Sequence, residues 1–190
     1  MPGPTPTRAA EVGGAWHLVI HRAPREPSTE RVAAWRRLKR LGALYIGPST
    51  CLLPAALEPG AELEELAARL GAAGGRLLRL EVAAFTEAAE RVVRECYNAE
   101  RDAEYAELLE RADALLAELE REGGRGKFTF AEVEENEADL AKLRRWLEGV
   151  RRRDLFHASG LEPVERRIAG AASELARFAE RAAERESGGP

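Results

Sequence analysis

The sequence of 190 residues is long enough for one medium domain or two small ones, and its 45% hydrophobic and 33% charged residues exclude a disordered or membrane-embedded chain. The net charge of −4 conceals an uneven distribution of basic and acidic residues along the sequence. Residues 16–57 contain seven basic and two acidic side chains, whereas residues 86–143 contain eight basic and seventeen acidic ones. Local charge therefore says more about partners than the net value does.

Residues 1–14 are rich in Pro, Gly and Thr and lack the apolar core of a secretory signal. We interpret them as a disordered leader and expect a cytoplasmic protein. The apolar runs of the sequence are too short to cross a bilayer, so no membrane partner is expected.

The first part of the chain alternates short strands with helices. Strand-like apolar segments lie at residues 16–21, 43–46, 51–53 and 76–85. Helical periodicity separates the first from the second and the third from the fourth, and it ends at Gly42 and at Gly74. The resulting βαββαβ order over residues 15–85 predicts a ferredoxin-like domain of the α+β class.

Two sets of apolar residues predict the buried sides of these elements. In the first helix the set is Val32, Trp35 and Leu38, which we expect to face the sheet. In the last strand the set is Leu78, Leu80 and Val82, alternating with charged residues as in a half-buried strand.

Residues 86–186 predict three long amphipathic helices that form a helical hairpin or bundle packed on the α/β domain or on one another. Thr86 is a predicted N-cap, and capping boxes are predicted at Thr129 with Glu132 and at Ser159 with Glu162. The first apolar stripe begins with Val92, Cys96, Ala99, Ala103 and Ala106.

No nucleophile–base pair, phosphate-binding glycine loop or metal-ligand spacing is found, so we expect no enzymatic activity, no cofactor and no metal. Cys51 and Cys96 are interpreted as packed, reduced thiols.

The sharpest functional signal is a basic cluster in the first helix, joined by Arg22 and Arg25 in the loop predicted before it. Its predicted members, all candidates for binding DNA or an oxyanion, are Arg22, Arg25, Arg31, Arg36, Arg37, Lys39 and Arg40. Arginine offers forked donors that suit phosphate, and Arg36 and Arg40 are one helical turn apart, so we expect them to project from the sheet on one ridge. The alternative is that these side chains are only hydrated and bind no ligand, while their aliphatic parts cover apolar surface. A second cluster, at residues 151–153, is better explained by a helix C-terminus.

Several motifs resemble the amino-terminal domain of the chromate-resistance regulator ChrB. They are PREPS at 24–28, VAAWRRLKRLGALY at 32–45, NAERDAEY at 98–105, KFTF at 127–130 and LRRW at 143–146, and the likeness extends from about residue 16 to about 183. The WRRLKRLG stretch is also similar, more distantly, to the middle domain of the phenylacetate repressor PaaX and to the small ferredoxin-like subunit of the CRISPR integration complex.

The resemblance implies a bacterial transcriptional regulator that acts on DNA and responds to chromate. ChrB proteins have a second, carboxy-terminal domain, and this sequence ends where that domain would begin. The CRISPR subunit has an acidic residue at the end of its first strand where this sequence has His21, which disfavours a nuclease.

Three hypotheses of different class follow. The first is a DNA-interacting regulator that uses the basic first helix. The second is a protein–protein interaction module, in which the acidic helices bind a partner. The third is a small protein that binds chromate through clustered arginines. A homodimer is compatible with the first two.

Overall fold

A computed structural model of the protein describes residues 15–24, 28–126 and 129–187. Its strands are β1 (Trp16–Arg22), β2 (Leu44–Gly47), β3 (Thr50–Pro54) and β4 (Arg76–Val82). Its helices are α1 (Ser28–Arg40), α2 (Gly60–Ala72), α3 (Glu87–Gly124), α4 (Phe130–Arg151) and α5 (Leu161–Ser187), with a 3-10 turn at Ala55–Leu57.

The four strands form one antiparallel sheet in the order β2-β3-β1-β4. With one helix after β1 and another after β3, this is the predicted ferredoxin-like α+β arrangement, which is confirmed. The chain divides into two compact units, one up to Cys96 and one from Tyr97, and the boundary falls within α3.

The core of the first unit lies between one face of the sheet and the helices α1 and α2. Its buried members are Val19, Ala34, Leu38, Ala43, Cys51, Leu53, Leu63, Leu66 and Leu70. Gly42, at φ 88°, ends α1 in the left-handed conformation that glycine adopts without steric cost, and the Ala43 N–H donates to the Leu38 carbonyl at 3.0 Å. This confirms the helix end predicted from Gly42.

The predicted inward side of α1 is wrong in two of its three members. Leu38 is fully buried, but Trp35 is 47% and Val32 40% exposed. Ala34 takes the inner position, because residues four apart stack on the same side of a helix. The three-residue spacing of Val32, Trp35 and Leu38 instead drifts around the helix toward solvent.

The predicted buried side of β4 also needs correction. Arg79 pairs with Val19, whose side chain lies in the helix-covered core, so Leu77, Arg79 and Glu81 share the helix side of the sheet. Leu78 and Leu80 point to the opposite face and are 52% and 47% exposed. The strand alternates as predicted, but its more apolar side does not face the helices.

In the second unit the three helices pack on one another around a single apolar cluster, which includes Leu108, Leu119, Leu140, Val164 and Phe178. The predicted stripe of α3 is wrong in its first part. Val92, Cys96, Ala99, Ala103 and Ala106 are not buried, and the buried line is Tyr97, Arg101, Tyr105, Leu108, Ala112, Leu115 and Leu119. A charged residue, Arg101, occupies one of its positions.

Two of the predicted helix caps are confirmed. The hydroxyls of Thr86 and Thr129 accept from the backbone N–H groups of Ala89 and Glu132, each at 3.3 Å. The hydroxyl of Ser159 instead lies 3.3 Å from a carboxylate oxygen of Asp102. The same oxygen accepts the Gly160 N–H at 2.8 Å. Asp102 of α3 thus binds both residues that precede α5, whereas the predicted capping bond from the Glu162 N–H to Ser159 is not present among the described residues.

Cys51 is buried as predicted, and burial raises the pKa of its thiol to about 12. Cys96 is exposed, which corrects the interpretation of two packed thiols. No helix in the described part of the chain is long and apolar enough to span a membrane.

Candidate functional site

Three of the predicted binding residues are exposed on α1. They are Arg31, Arg36 and Arg40, and none has an ion-pair partner among the described residues. Arg31 lies in the first turn, on the side of the helix that also carries Ala34 and Leu38, so we call only Arg36 and Arg40 the arginine ridge. Arg36 and Arg40 project from the side of α1 opposite to Ala34 and Leu38, as predicted.

Two other members of the predicted cluster bind within the first unit. The guanidinium of Arg37 donates to Glu65 of α2, and the two form an ion pair. The ammonium of Lys39 lies 5.6 Å from the centre of the Tyr45 ring, within range of a cation–π contact. These side chains position α1 against its neighbours, so they are less available to an external anion.

A second ion pair between α1 and α2 has two parallel hydrogen bonds. Arg69 donates from Nε and Nη2 to the two carboxylate oxygens of Glu30, at 2.9 and 3.0 Å. The Arg69 guanidinium lowers the pKa of the Glu30 carboxyl, so the pair persists at neutral pH. Both pairs hold the helix that presents the arginine ridge.

Arg22 and Arg25 do not belong to α1. Arg22 is the last residue of β1 rather than part of a loop, and it pairs across the sheet with Arg76. Arg22 and Arg76 line a cleft of about 300 Å³ together with Gly74 and Gly75. Arg76 was not among the predicted binding residues, because its position opposite Arg22 depends on the strand pairing. Arg25 lies outside the described residues.

Trp35 adds an aromatic surface to the same helix. It follows Arg31 by one turn and is about half exposed. Interleaved arginine and aromatic side chains are typical of surfaces that bind nucleic acid, because the ring stacks while the guanidinium groups contact phosphate.

A different set of arginines is buried in the second unit. Arg101 is 1% exposed and lies with its guanidinium 4.8 Å from the centre of the Tyr97 ring. Its Nε donates to Glu104 at 2.8 Å, and its Nη2 donates to Glu100 at 3.3 Å. Arg153 binds both carboxylate oxygens of Glu104, at 2.7 and 3.1 Å. The carboxylate of Glu104 therefore bridges the two arginines, and Glu100 supplies a second negative charge beside Arg101.

The tyrosines of this region bind the segment between α4 and α5. The Tyr97 hydroxyl donates to the Arg153 carbonyl at 2.8 Å, and the Tyr105 hydroxyl donates to Asp154 at 3.0 Å. Burial raises the pKa of Tyr97 to about 12, so its hydroxyl stays protonated at neutral pH. Asn98 adds a bond to the Phe156 carbonyl at 3.0 Å.

We call the set Glu100, Arg101, Asp102, Glu104, Arg153 and Asp154, with Tyr97, Asn98 and Tyr105, the buried network. It has four carboxylates and two arginines, and both arginines already bind Glu104. An incoming oxyanion would meet excess negative charge. The buried network therefore fits a structural role, and it accounts for the NAERDAEY motif at 98–105 and for Arg153 of the second basic cluster.

His21 is buried, and its Nε2 lies 3.0 Å from the Tyr45 hydroxyl. Burial lowers the pKa of its imidazole, since desolvation disfavours the charged form. The described residues contain no group of three or more His, Cys, Asp or Glu side chains placed to hold a metal ion.

The family model described as "Protein ChrB, N-terminal" matches residues 31–188. None of the curated proteins compared with this chain matches it. The matched range includes the arginine ridge and the whole buried network, but it excludes β1 and the PREPS motif at 24–28. Because the match covers well over half of the sequence, the chain belongs to the ChrB N-terminal family, which relates it to the chromate-resistance regulator of that name.

Proposed function

We propose that the protein is a DNA-interacting regulator of chromate resistance and that the arginine ridge of α1 contacts the DNA backbone. The observation that carries the proposal is the exposure of Arg36 and Arg40 on a helix that is otherwise fixed. Leu38 packs in the core, and two ion pairs connect the side of this helix to α2. A rigid helix with exposed guanidinium groups loses little conformational freedom when it binds phosphate.

The ridge suits phosphate contacts better than base readout. Its two arginines are one turn apart on a helix of 13 residues, and that helix is preceded by β1 and followed by β2 rather than joined to a second helix by a short turn as in a helix-turn-helix motif. Phosphate contacts position a protein on DNA without reading its sequence. We therefore expect weak, salt-sensitive binding with little sequence preference for this chain alone.

The test is a titration of duplex DNA at several salt concentrations, comparing the natural protein with Arg36→Ala/Arg40→Ala. Removal of one arginine–phosphate contact should reduce the slope of log affinity against log salt by about one unit, so the double variant should show a slope smaller by about two. The matched control is Arg144→Ala/Arg145→Ala, which removes the same charge from exposed positions of α4.

The control distinguishes binding by a specific surface from binding by the net charge of the protein. If the slope falls equally in both double variants, the net charge alone determines binding, and the ridge has no special role. If the natural protein and Arg36→Ala/Arg40→Ala have the same affinity and slope, the ridge is a solvated face. The partner-binding hypothesis then becomes the leading one.

A partner-binding role has one specific observation in its favour. A cleft of about 370 Å³ lies between α3 and α4, with Leu115, Leu143 and Trp146 in its wall and Arg111 and Asp139 among its charged lining residues. Apolar walls with a charged rim are typical of protein-binding grooves. Trp146→Ala should then weaken partner binding without changing the DNA titration.

Chromate is proposed as an effector that competes with phosphate for exposed guanidinium groups. Adding chromate to the DNA complex at constant ionic strength should release the protein, and the control is sulfate, a dianion of the same shape. Equal release by both anions would indicate competition by charge alone and would count against chromate recognition by this chain.

We further propose that the role is not catalytic. The position that is acidic in the CRISPR subunit is His21 here, and His21 is buried against Tyr45 rather than presented to a substrate. Incubation of DNA with the protein and Mg²⁺ should leave the DNA intact. Cleavage that disappears with a single carboxylate substitution would refute this.

A further inference from the structure

β4, a strand of seven residues, forms an outer edge of the sheet. It is a terminal strand and pairs only with β1 among the described residues. Outside the ladders, no backbone hydrogen bond within the described part of the chain involves residues 76–82. Exposed edges of this length offer a row of unpaired N–H and C=O groups to another strand.

The side chains of this edge add an apolar surface. Leu78 and Leu80 are 52% and 47% exposed, and their neighbour across the ladder, Ile20, is 38% exposed. All three lie on the face of the sheet opposite to α1 and α2. Proteins usually protect edges with charges, proline or bulges, and on this face of β4 the residues from Leu78 to Val82 are all apolar.

The other face of β4 has two charges, two residues apart. Arg79 and Glu81 are both exposed, and neither has an ion-pair partner among the described residues. Arg79 also lies near the start of α2, since a Cβ at Gly60 would be 3.6 Å from its Nη1. A cation at a helix N-terminus is unfavourable, so an additional carboxylate there would be stabilising.

The register of a symmetric strand pair decides whether these charges match. When a strand pairs antiparallel with its own copy about a two-fold axis, one residue faces itself. Centring on Arg79 or on Glu81 would oppose like charges, and centring on Leu78 would place Arg76 opposite Leu80. Centring on Leu80 places Arg79 of each copy opposite Glu81 of the other, which gives two attractive pairs. It also places Leu78 opposite Val82.

We propose that β4 is a homodimerisation edge, at which β4 of a second copy pairs antiparallel about Leu80 to form a continuous eight-stranded sheet. The Leu80 side chains meet at the axis and extend the apolar face of Ile20 and Leu78. The Arg79–Glu81 pairs flank the axis on the helix side. This interface does not depend on DNA binding, and its failure would leave the proposal for α1 unaffected.

The first experiment measures the oligomeric state of the full chain by sedimentation equilibrium without DNA. The natural protein should show a concentration-dependent monomer–dimer equilibrium, because a single strand pair buries less surface than a permanent interface. Arg79→Glu or Glu81→Arg alone should raise the dissociation constant about tenfold, since each replaces two attractive contacts by two repulsive ones. The combined Arg79→Glu/Glu81→Arg variant should restore the dimer.

Circular dichroism of each variant confirms that the monomer is folded. A natural protein that remains monomeric at all concentrations would overturn the proposal. So would a charge-exchanged double variant that dimerises no better than the single variants, since the two charges would then not face each other.

The second experiment tests the register by disulfide trapping in a Cys96→Ser background, which removes the exposed native thiol. Leu80→Cys should form a covalent dimer on mild oxidation, because self-paired residues have Cα atoms about 5 Å apart. The matched control is Leu78→Cys, whose two copies would be about 14 Å apart along the strands. Equal trapping of both variants would indicate face-to-face stacking of the sheets and would refute the edge pairing.

Discussion

The arginines of α1 and those of the buried network have the same side chain but opposite surroundings. Arg36 and Arg40 extend into solvent without a carboxylate partner among the described residues, whereas Arg101 and Arg153 share the carboxylate of Glu104. Water hydrates the first pair, so removing one of those charges changes what the surface can bind. Removing Glu104 takes away the carboxylate that the second pair shares, in a place where water compensates the lost interaction poorly.

The comparison shows that the density of basic residues along the sequence is not a sufficient guide to their role. Arg37 and Lys39 are adjacent in sequence to the ridge and yet contact Glu65 and the Tyr45 ring. Arg153, within a run of three arginines, is largely buried. The partner available in the fold decides whether an arginine serves binding or stability.

The largest effect is expected from Glu104→Ala, which leaves Arg101 and Arg153 without their shared carboxylate. We expect a decrease of about 4 kcal/mol in the free energy of unfolding, within the range typical when one partner of a buried ion pair is removed. Glu104 is 27% exposed, which keeps the decrease below the upper end of that range. Urea denaturation followed by circular dichroism measures it.

The control for this prediction is Glu107→Ala in the same helix. The Glu107 carboxylate is 56% exposed and lies 4.0 Å from Arg111, so its removal should cost less than about 1 kcal/mol. Equal effects of the two substitutions would mean that the buried network does not stabilise the helical unit.

The next effect concerns the orientation of α1, on which the exposure of the ridge depends. Leu38→Ala should destabilise the protein by about 3 kcal/mol, because it removes a fully buried side chain from the core. Trp35→Ala should cost less than about 1 kcal/mol, although it removes a larger side chain, since about half of the ring is already in water. Thermal unfolding of both variants gives the comparison. A larger effect of Trp35→Ala would show that the helix is rotated toward the orientation predicted from sequence.

Much of the fold could be predicted from sequence because local signals agree with it. The βαββαβ order follows from strand-like segments separated by helical periodicity, with glycines such as Gly42 at the helix ends. The caps at Thr86 and Thr129 follow from residue type and position. What sequence did not determine was the side on which an element is buried, as in α1 and β4, because that depends on packing against distant elements.

The candidate site was predicted in part for the same reason. The exposure of Arg36 and Arg40 follows from helical geometry once the helix is known. The partners of Arg37 and the pairing of Arg22 with Arg76 require the tertiary fold. The burial of Arg101 was not predicted, because a charged residue at a core position contradicts the apolar pattern. The four-residue spacing of Tyr97, Arg101 and Tyr105 was the available signal.

A smaller effect is expected on acidification, and it concerns the first unit. The folded state holds the pKa of His21 below its unfolded value of about 6.5, so folding favours the neutral imidazole. This contribution is fully present above pH 6.5 and is lost as the pH falls below that value toward the folded-state pKa. Unfolding free energies measured between pH 7.5 and pH 5 should therefore decrease more in the natural protein than in His21→Gln. If the unfolding free energies of the two proteins decrease equally with falling pH, His21 does not cause the loss of stability in acid.

The smallest effect on stability is expected from the substitution that should matter most for binding. Arg36→Ala/Arg40→Ala removes two exposed side chains that have no ion-pair partner among the described residues, and alanine favours helix slightly more than arginine does. The unfolding free energy should therefore change by less than about 0.5 kcal/mol, while the salt slope of DNA binding falls. The measurement is urea denaturation of the same preparations that are used in the DNA titration. A decrease of more than about 1 kcal/mol would show that the two arginines support the fold. Weaker DNA binding would then have a structural explanation, and the contrast between the ridge and the buried network would no longer hold.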